Sequence, residues 1–288
     1  MIIDGHAHAC GVYSNAYNIK WYLEKKGIDM VVLCAGEPNS GKNYTYPMLS
    51  KIFKGQRLAF VFNKIIRTIV KINHSSGYID EQNEKVSKLQ QQMPDKIINT
   101  YWANPLEINC IEKMERFYSI NGFKMLKLHQ SWTPFDIRSS ESINIIMWAT
   151  KKNLPIFIHL YSDEQVSGFV EIANKFMDAT FIVGHMIGIT SMGDKLKNEN
   201  VYFDLSAPQL YSESILETAI GKVGYEKLIL GSDSPYGIDN IAKNLERLNK
   251  LLLPENQMRC ICGENLIKIL HQNNHKSDPK FSNLVGSQ

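Results

Sequence analysis

Short apolar runs rich in β-branched residues recur along the chain, each followed by turn residues and then by a longer stretch with apolar positions at helical spacing. Eight such runs predict strands: MIID at the start, DMVVLC from Asp29, KIINTYWA from Lys96, GFKMLKLH from Gly122, LPIFIHL from Leu154, TFIVGHM from Thr180, VYFDLSA from Val201 and KLILGSD from Lys227. Strands that alternate with helices pair in parallel, with the helices outside. Several of these runs are apolar on both faces, as a strand must be with a barrel core on one side and a helix on the other. The pattern predicts an α/β fold, a closed (β/α)8 TIM barrel. No GxGxxG follows the first strand and no GxxxxGK[ST] occurs. An open dinucleotide-binding sheet and a phosphate-cradling loop of that type are therefore unsupported.

The spacing is uneven in one place. The second and third strands are separated by more chain than a loop, a helix and a second loop require. The segment 39–94 is predicted to be a helical insertion capping the barrel mouth, with one helix in LAFVFNKIIRTIVKI from Leu58 and another in EQNEKVSKLQQQ. The barrel domain is expected over 1–272, with the insertion inside it. The stretch 273–288 lacks periodicity and reads as a loosely attached C-terminal tail.

Composition narrows the class. A chain of 288 residues, 44% hydrophobic and 21% charged, has the make-up of a globular domain and the length of one large barrel. A net charge of +3 is too small to argue for nucleic acid. No run reaches the roughly 18 apolar residues a membrane span needs, and the Leu58 stretch is broken by Asn63, Lys64, Arg67 and Lys71 into an amphipathic pattern. No basic region and apolar core precede His6, so a secretory signal is not expected. The five cysteines, Cys10, Cys34, Cys110, Cys260 and Cys262, form no CxxC and fit reduced thiols in a cytoplasmic protein.

The histidines carry the chemistry. Residues i and i+2 of a strand point to one side, so His6 and His8 of IIDGHAH can offer two imidazoles to one point. In barrel enzymes the reactive groups sit at the C-terminal strand ends. His6 and His8 end the first predicted strand, His129 the fourth, His159 the fifth and His185 the sixth, while Asp233 ends the eighth. If three residues per strand end count as mouth positions, roughly 24 sites qualify, and chance would place fewer than one of the eight histidines there. For any single histidine a satisfied place in the core or rim is the ordinary reading; for five converging on one mouth with an aspartate it fails. Imidazoles with a carboxylate are the donor set of Zn²⁺ and related divalent ions.

The ordered motifs HAH, KLH, IFIHL, IVGHM and LGSDSP resemble the amidohydrolase superfamily. Within it they are most similar to the amidohydrolase 2 branch, which contains metal-dependent hydrolases and aminocarboxymuconate semialdehyde decarboxylase-like enzymes. The resemblance runs from Ile2 to the ICGENLIKIL segment, whose GEN looks like the family's closing helix. It implies that His6, His8, His159 and Asp233 hold a divalent metal, zinc first and manganese or cobalt as alternatives. It also implies that His185 assists at the reacting group or binds a second ion, and that Asp233 doubles as a proton acceptor. Lys127 shares a strand face with Met125 and His129; in binuclear members of the superfamily a lysine of the fourth strand is carboxylated and bridges two metals. One metal is expected here, since the branch usually works with one, and Lys127, His129 and Arg138 are candidates for substrate contact or a second-metal site.

The expected activity is a metal-dependent hydrolase using an activated water against a small ester, lactone or amide. The alternative is nonoxidative decarboxylation of an aromatic or muconate-like acid, and a further one is an inactive barrel that only binds. Cys10, Trp132, Tyr161, Ser206, Tyr211 and Tyr236 lie just beyond strand ends and are each read first as loop packing. The expected partner is a small molecule, with no nucleic acid and no membrane. Barrels of this type often form homodimers, but no sequence feature sets the oligomeric state.

Overall fold

The computed structural model describes residues 1–38, 40–52, 57–73, 78–192 and 195–272. The expected tail 273–288 lies outside the described residues. Eight parallel strands follow one another around a single sheet: β1 Ile3–His8, β2 Met30–Cys34, β3 Ile97–Trp102, β4 Met125–His129, β5 Ile156–His159, β6 Phe181–Val183, β7 Val201–Asp204 and β8 Leu228–Ile229. Every one falls within or across a predicted run. The ring closes between β8 and β1, where the amide of Gly5 donates to Leu230 O at 2.8 Å and that of His8 to Ser234 O at 2.8 Å. The fold is thus the predicted (β/α)8 barrel.

The helices are α1 Ala16–Lys26, α2 Arg57–Asn73, α3 Ile79–Gln92, α4 Cys110–Asn121, α5 Ser140–Lys151, α6 Asp163–Lys175, α7 Ile189–Met192, α8 Glu213–Val223, α9 Asn240–Lys250, α10 Glu255–Arg259 and α11 Asn265–Gln272. Their starts follow local chemistry: Asn15, Ser139 and Ser162 each accept a backbone N–H of the first turn of α1, α5 and α6. Among the described residues no helix is long and apolar enough to cross a membrane.

Of the two helices between β2 and β3, α3 packs on β3 and β2 as the ordinary crossover helix. Its Asn83 side chain bonds both the N–H and the C=O of Trp102, each at 2.9 Å. The addition to the barrel is α2. Asn63 donates to Leu160 O and Tyr161 O at 2.9 and 3.0 Å, and the Arg67 guanidinium donates to Gln130 O at 2.7 Å while lying over the Tyr161 ring. The helix therefore lies across the exits of β4 and β5, on the mouth side.

Inside the barrel the lower layer is apolar, formed by Ile3, Met30, Val32, Ile98, Met125 and Phe157 with their neighbours, and α11 closes it from below with Leu266 and Ile269. Asn265 of the GEN segment fastens α11 by donating to Tyr225 O and Leu228 O, both at 2.8 Å. One irregularity sets the layer above. Ile3 pairs with Met30 and Asp4 with Val31, but Ala7 then pairs with Leu33 and His8 with Cys34, so β1 spends one extra residue where Gly5 and His6 face Val32. This is a β-bulge. Strict alternation from the inward Ile3 would turn His6 and His8 outward, and the added residue turns them in.

Gly5 makes the bulge possible. A Cβ there would stand 2.6 Å from Leu230 O and 2.7 Å from Ile229 Cγ2. Backbone is the nearer obstacle and cannot swing away. Gly5→Ala is accordingly expected to destabilise the fold by about 1–3 kcal/mol, seen as a lower thermal midpoint; an unchanged midpoint would mean that the β1–β8 seam is looser than described.

Candidate metal centre

The strand ends bring a nearly dry cluster together: His6, His8, Lys127, His129, His159 and His185 are all buried. Each imidazole is oriented by a partner on its far side. His8 Nδ1 lies 2.7 Å from Ala35 O; a carbonyl only accepts, so Nδ1 carries a proton. Burial opposes a second proton, but Cys34 and Asp233 raise the His8 pKa to about 9, so an ion must displace that proton to use Nε2. His6 Nδ1 lies 3.1 Å from Ser206 Oγ and 3.4 Å from Asp204 Oδ2, and burial holds the ring neutral, which leaves a lone pair on its Nε2. Both Nε2 atoms turn to one place. Asp233 Oδ1 stands 3.7 Å from His6 Nε2 and 3.4 Å from His8 Nε2. Lys127 Nζ lies 2.8 and 3.3 Å from the same two nitrogens and donates to Cys34 Sγ at 3.3 Å.

The other histidines form an adjoining group. His159 Nδ1 and His129 Nε2 are 2.7 Å apart, His129 stacks on Trp102, and the His159 and His185 rings are 4.8 Å apart. His185 Nδ1 bonds Ser206 Oγ at 2.9 Å, so one hydroxyl serves both His6 and His185. His185 and Asp233 both hold left-handed backbone, at φ 55° and 61°. Such strain in non-glycine residues gathers where side chains must be aimed.

Arg138 stands apart from this cluster. Its guanidinium bonds Asp136 at 2.8 Å and Glu164 at 3.1 Å in half-exposed ion pairs, so these two carboxylates occupy the cation that the sequence offered to a substrate. Tyr211 is also engaged, its hydroxyl bonded to Leu205 O and Asn244. Tyr236 sets its ring edge-on to His8 and Trp132 sets its own against Trp102, so both wall the mouth.

Three buried groups were missed in the sequence. Asp204 ends β7, accepts from Ser206 and from the His185 amide, and orients His6; it shares a strand face with Tyr202, the alternation that could have revealed it. Burial raises its pKa to about 6 against the charge of His185 and the Ser206 bonds. Asp4 accepts from Ser232 N and Oγ and from the Tyr13 hydroxyl at 2.6–2.9 Å, which locks the GSDSP turn to β1, and burial pushes its pKa up to about 7. Cys34 is the third. Burial opposes ionisation of its thiol, but the charges of His8 and Lys127 outweigh it and hold its pKa below the ordinary value. For Asp233 burial is likewise outweighed, by the charge of His185 and the bond to His8, and its pKa also lies below the usual one.

Residues 76–271 match the Amidohydrolase family profile of the amidohydrolase 2 branch, more than half of the sequence. The chain belongs to the amidohydrolase 2 family. No curated protein matches it in sequence. Solved structures share its fold. A probable 2-pyrone-4,6-dicarboxylic acid hydrolase from Acinetobacter baumannii with citric acid bound is 11% identical at a TM-score of 0.65, covering 94% of this chain and 99% of its own. A 5-carboxyvanillate decarboxylase from Sphingomonas paucimobilis is 12% identical at 0.63, covering 94% and 98%. An amidohydrolase from Burkholderia multivorans with bound zinc is 11% identical at 0.64, covering 94% and 99%.

The family is metal-dependent, and the donors of this amidohydrolase fit a divalent ion. Two imidazole nitrogens and a sulfur already surround the buried Lys127 amine, and Asp233 Oδ1 stands 3.4 Å from one of those nitrogens. His159 Nε2 is buried with no hydrogen-bond partner among the described residues. A bare polar atom in a dry site is costly unless something binds it. The Trp132 N–H donates to His129 Nδ1 at 3.3 Å, so the proton between the two rings belongs to His129 Nε2, and His159 carries its own on Nε2, to be released when an ion binds there.

Two outcomes are expected of this geometry. Asp204→Asn should weaken metal binding by about 10- to 100-fold, because groups that orient a ligand act on affinity at that scale; competition against a chromophoric chelator measures it, and unchanged affinity would reduce Asp204 to packing. Lys127→Ala should retain about one metal per chain, counted by inductively coupled plasma mass spectrometry, if the ligands are the His6, His8, His159 and Asp233 expected from the sequence, a set that needs no help from the amine. Two metals per chain that disappear in this variant, with loading improved by bicarbonate, would instead establish a carboxylated lysine.

Proposed function

We propose that this amidohydrolase is a hydrolase of a small ester, lactone or amide, with a single divalent metal, zinc first, held by His6, His8, His159 and Asp233. The observation that carries the reading is the convergence of His6 Nε2, His8 Nε2 and Asp233 Oδ1, the nitrogens lying 3.7 and 3.4 Å from the carboxylate. When bound, such an ion supplies a Lewis acid and makes water acidic enough to react near neutral pH.

The chain's own groups divide the remaining work. Asp233, held as a carboxylate among positive neighbours, takes the proton from the attacking water and can return it to the leaving group. His185, fixed through Nδ1 by Ser206, polarises the bond being broken. Lys127 offers a buried positive charge to a carboxylate of the substrate. The rings of Trp102, Trp132 and Tyr236 narrow the mouth and keep bulk water from the reacting atoms.

The same aromatic walls favour a flat, conjugated substrate, and this supports a second reading, nonoxidative decarboxylation of an aromatic or muconate-like acid. There Asp233 would deliver a proton to the carbon that loses CO₂. Assay of the metal-loaded enzyme against lactones, esters, amides and aromatic acids, with hydrolysis product and CO₂ measured together, separates the two. Hydrolysis without CO₂ is expected; CO₂ release alone would transfer the protein to the second reading.

Variants test the assignments. His6→Ala, His159→Ala and Asp233→Ala should each lose most metal and activity while the circular dichroism spectrum stays that of the folded barrel; metal content unchanged in the triple variant would refute the ligand set. His185→Asn should keep its metal and lose about 10²- to 10⁴-fold in kcat with little change in substrate affinity. Near-normal kcat in the fully loaded variant would remove His185 from the chemistry.

A further inference from the structure

Cys34 is the last residue of β2, and its Cα pairs in register with that of His8. Paired residues of parallel strands face the same way, so the thiol points into the barrel beside the imidazole. It is buried, 2% exposed. Its sulfur stands 3.3 Å from Lys127 Nζ, the same ammonium that His6 and His8 approach at 2.8 and 3.3 Å. One donor atom each from His6, His8 and Cys34 can be chosen so that all lie within 4.8 Å of one another. Tetrahedral zinc with bonds of 2.0–2.3 Å sets its ligand atoms about 3.3–3.8 Å apart. The sulfur lies 3.4 Å from His8 Nδ1, so the Cys34 side chain must turn past that nitrogen to share an ion with Nε2.

The other buried cysteines differ. Cys10 packs on Gly36, where a Cβ would come 2.7 Å from its sulfur, and Cys110 bonds Met114 Sδ. Cys34 is placed against the His8 imidazole and Lys127, at 3.4 Å from Nδ1 and 3.3 Å from Nζ.

We infer that Cys34 gives its sulfur to the metal centre, so that β1 and β2 present a face of two imidazole nitrogens and one thiolate. The inference rests on the metal-site reading above and adds a donor to it. A thiolate is a soft ligand that favours zinc and cobalt over manganese and magnesium, so this one residue would also select the ion. The rival arrangement makes the sulfur no more than a counter-ion for Lys127.

X-ray absorption at the zinc edge of the loaded full-length protein decides between them. One sulfur neighbour at about 2.3 Å is expected, unchanged in Cys10→Ser and absent in Cys34→Ser. The cobalt-loaded protein should show a near-ultraviolet thiolate-to-metal band that Cys34→Ser loses, and the preference for zinc over manganese should fall by about 10-fold or more in that variant. Cys34→Ala serves for the same comparisons if serine at this buried position prevents folding, and the wild-type spectrum needs no variant at all. Metal held by nitrogen and oxygen alone in the wild type, or sulfur that persists without Cys34, overturns the inference and leaves the histidine–aspartate site standing. Failure of the folded wild type to take up zinc or cobalt overturns both.

Discussion

The bulge at Gly5 and His6 is the constraint on which the site depends. A strand has only two faces, so a single added residue reverses every side chain beyond it. Below the bulge β1 contributes Ile3 to an apolar layer; above it the same strand contributes two imidazoles. The reversal needs β1 and β8 to pass closer than a methyl group allows, hence the glycine. Asp4 ties the same seam by accepting from Ser232, and it also accepts from Tyr13. Core packing and metal chemistry therefore share one strand without competing for the same positions.

Charge is balanced just as locally. A buried ammonium is tolerable only if paired, and Lys127 finds two nitrogens, a sulfur and two aromatic faces. Asp204 occupies space that Gly231 leaves open, since a Cβ there would lie 2.3 Å from its Oδ1. Ser206 then joins this carboxylate to both His6 and His185. The donors are thus held by a connected polar frame before any ion arrives, and the cost of ordering them is met during folding.

Much of this was legible in the sequence because strand ends are legible. Both-face apolar runs marked the eight strands, and histidines at the ends of those runs marked the mouth. What stayed hidden has physical causes. Spacing of two shows that His6 and His8 share a face, yet cannot say which one, because a bulge leaves no trace in composition. Asp204 sits in VYFDLSA without a motif around it, and its role depends on a glycine 27 positions later. Cys34 looks like filler until the register of β1 and β2 sets it beside His8. Arg138 shows the opposite case: its charge is visible, and so is Asp136 two residues before it, but Glu164 reaches it only through folding.

The helix α2 has a consequence for how such an enzyme changes over time. It is fastened over the mouth through Asn63 and Arg67, which grip backbone carbonyls of the β4 and β5 exits and no side chain of the metal centre. Backbone carbonyls are present whatever residues occupy those exits. Replacement of residues along its inner face can therefore reshape the space above the histidines while the strand-borne donors keep their positions. Reactivity and selectivity are written in separate stretches of chain, and one can drift while the other is held.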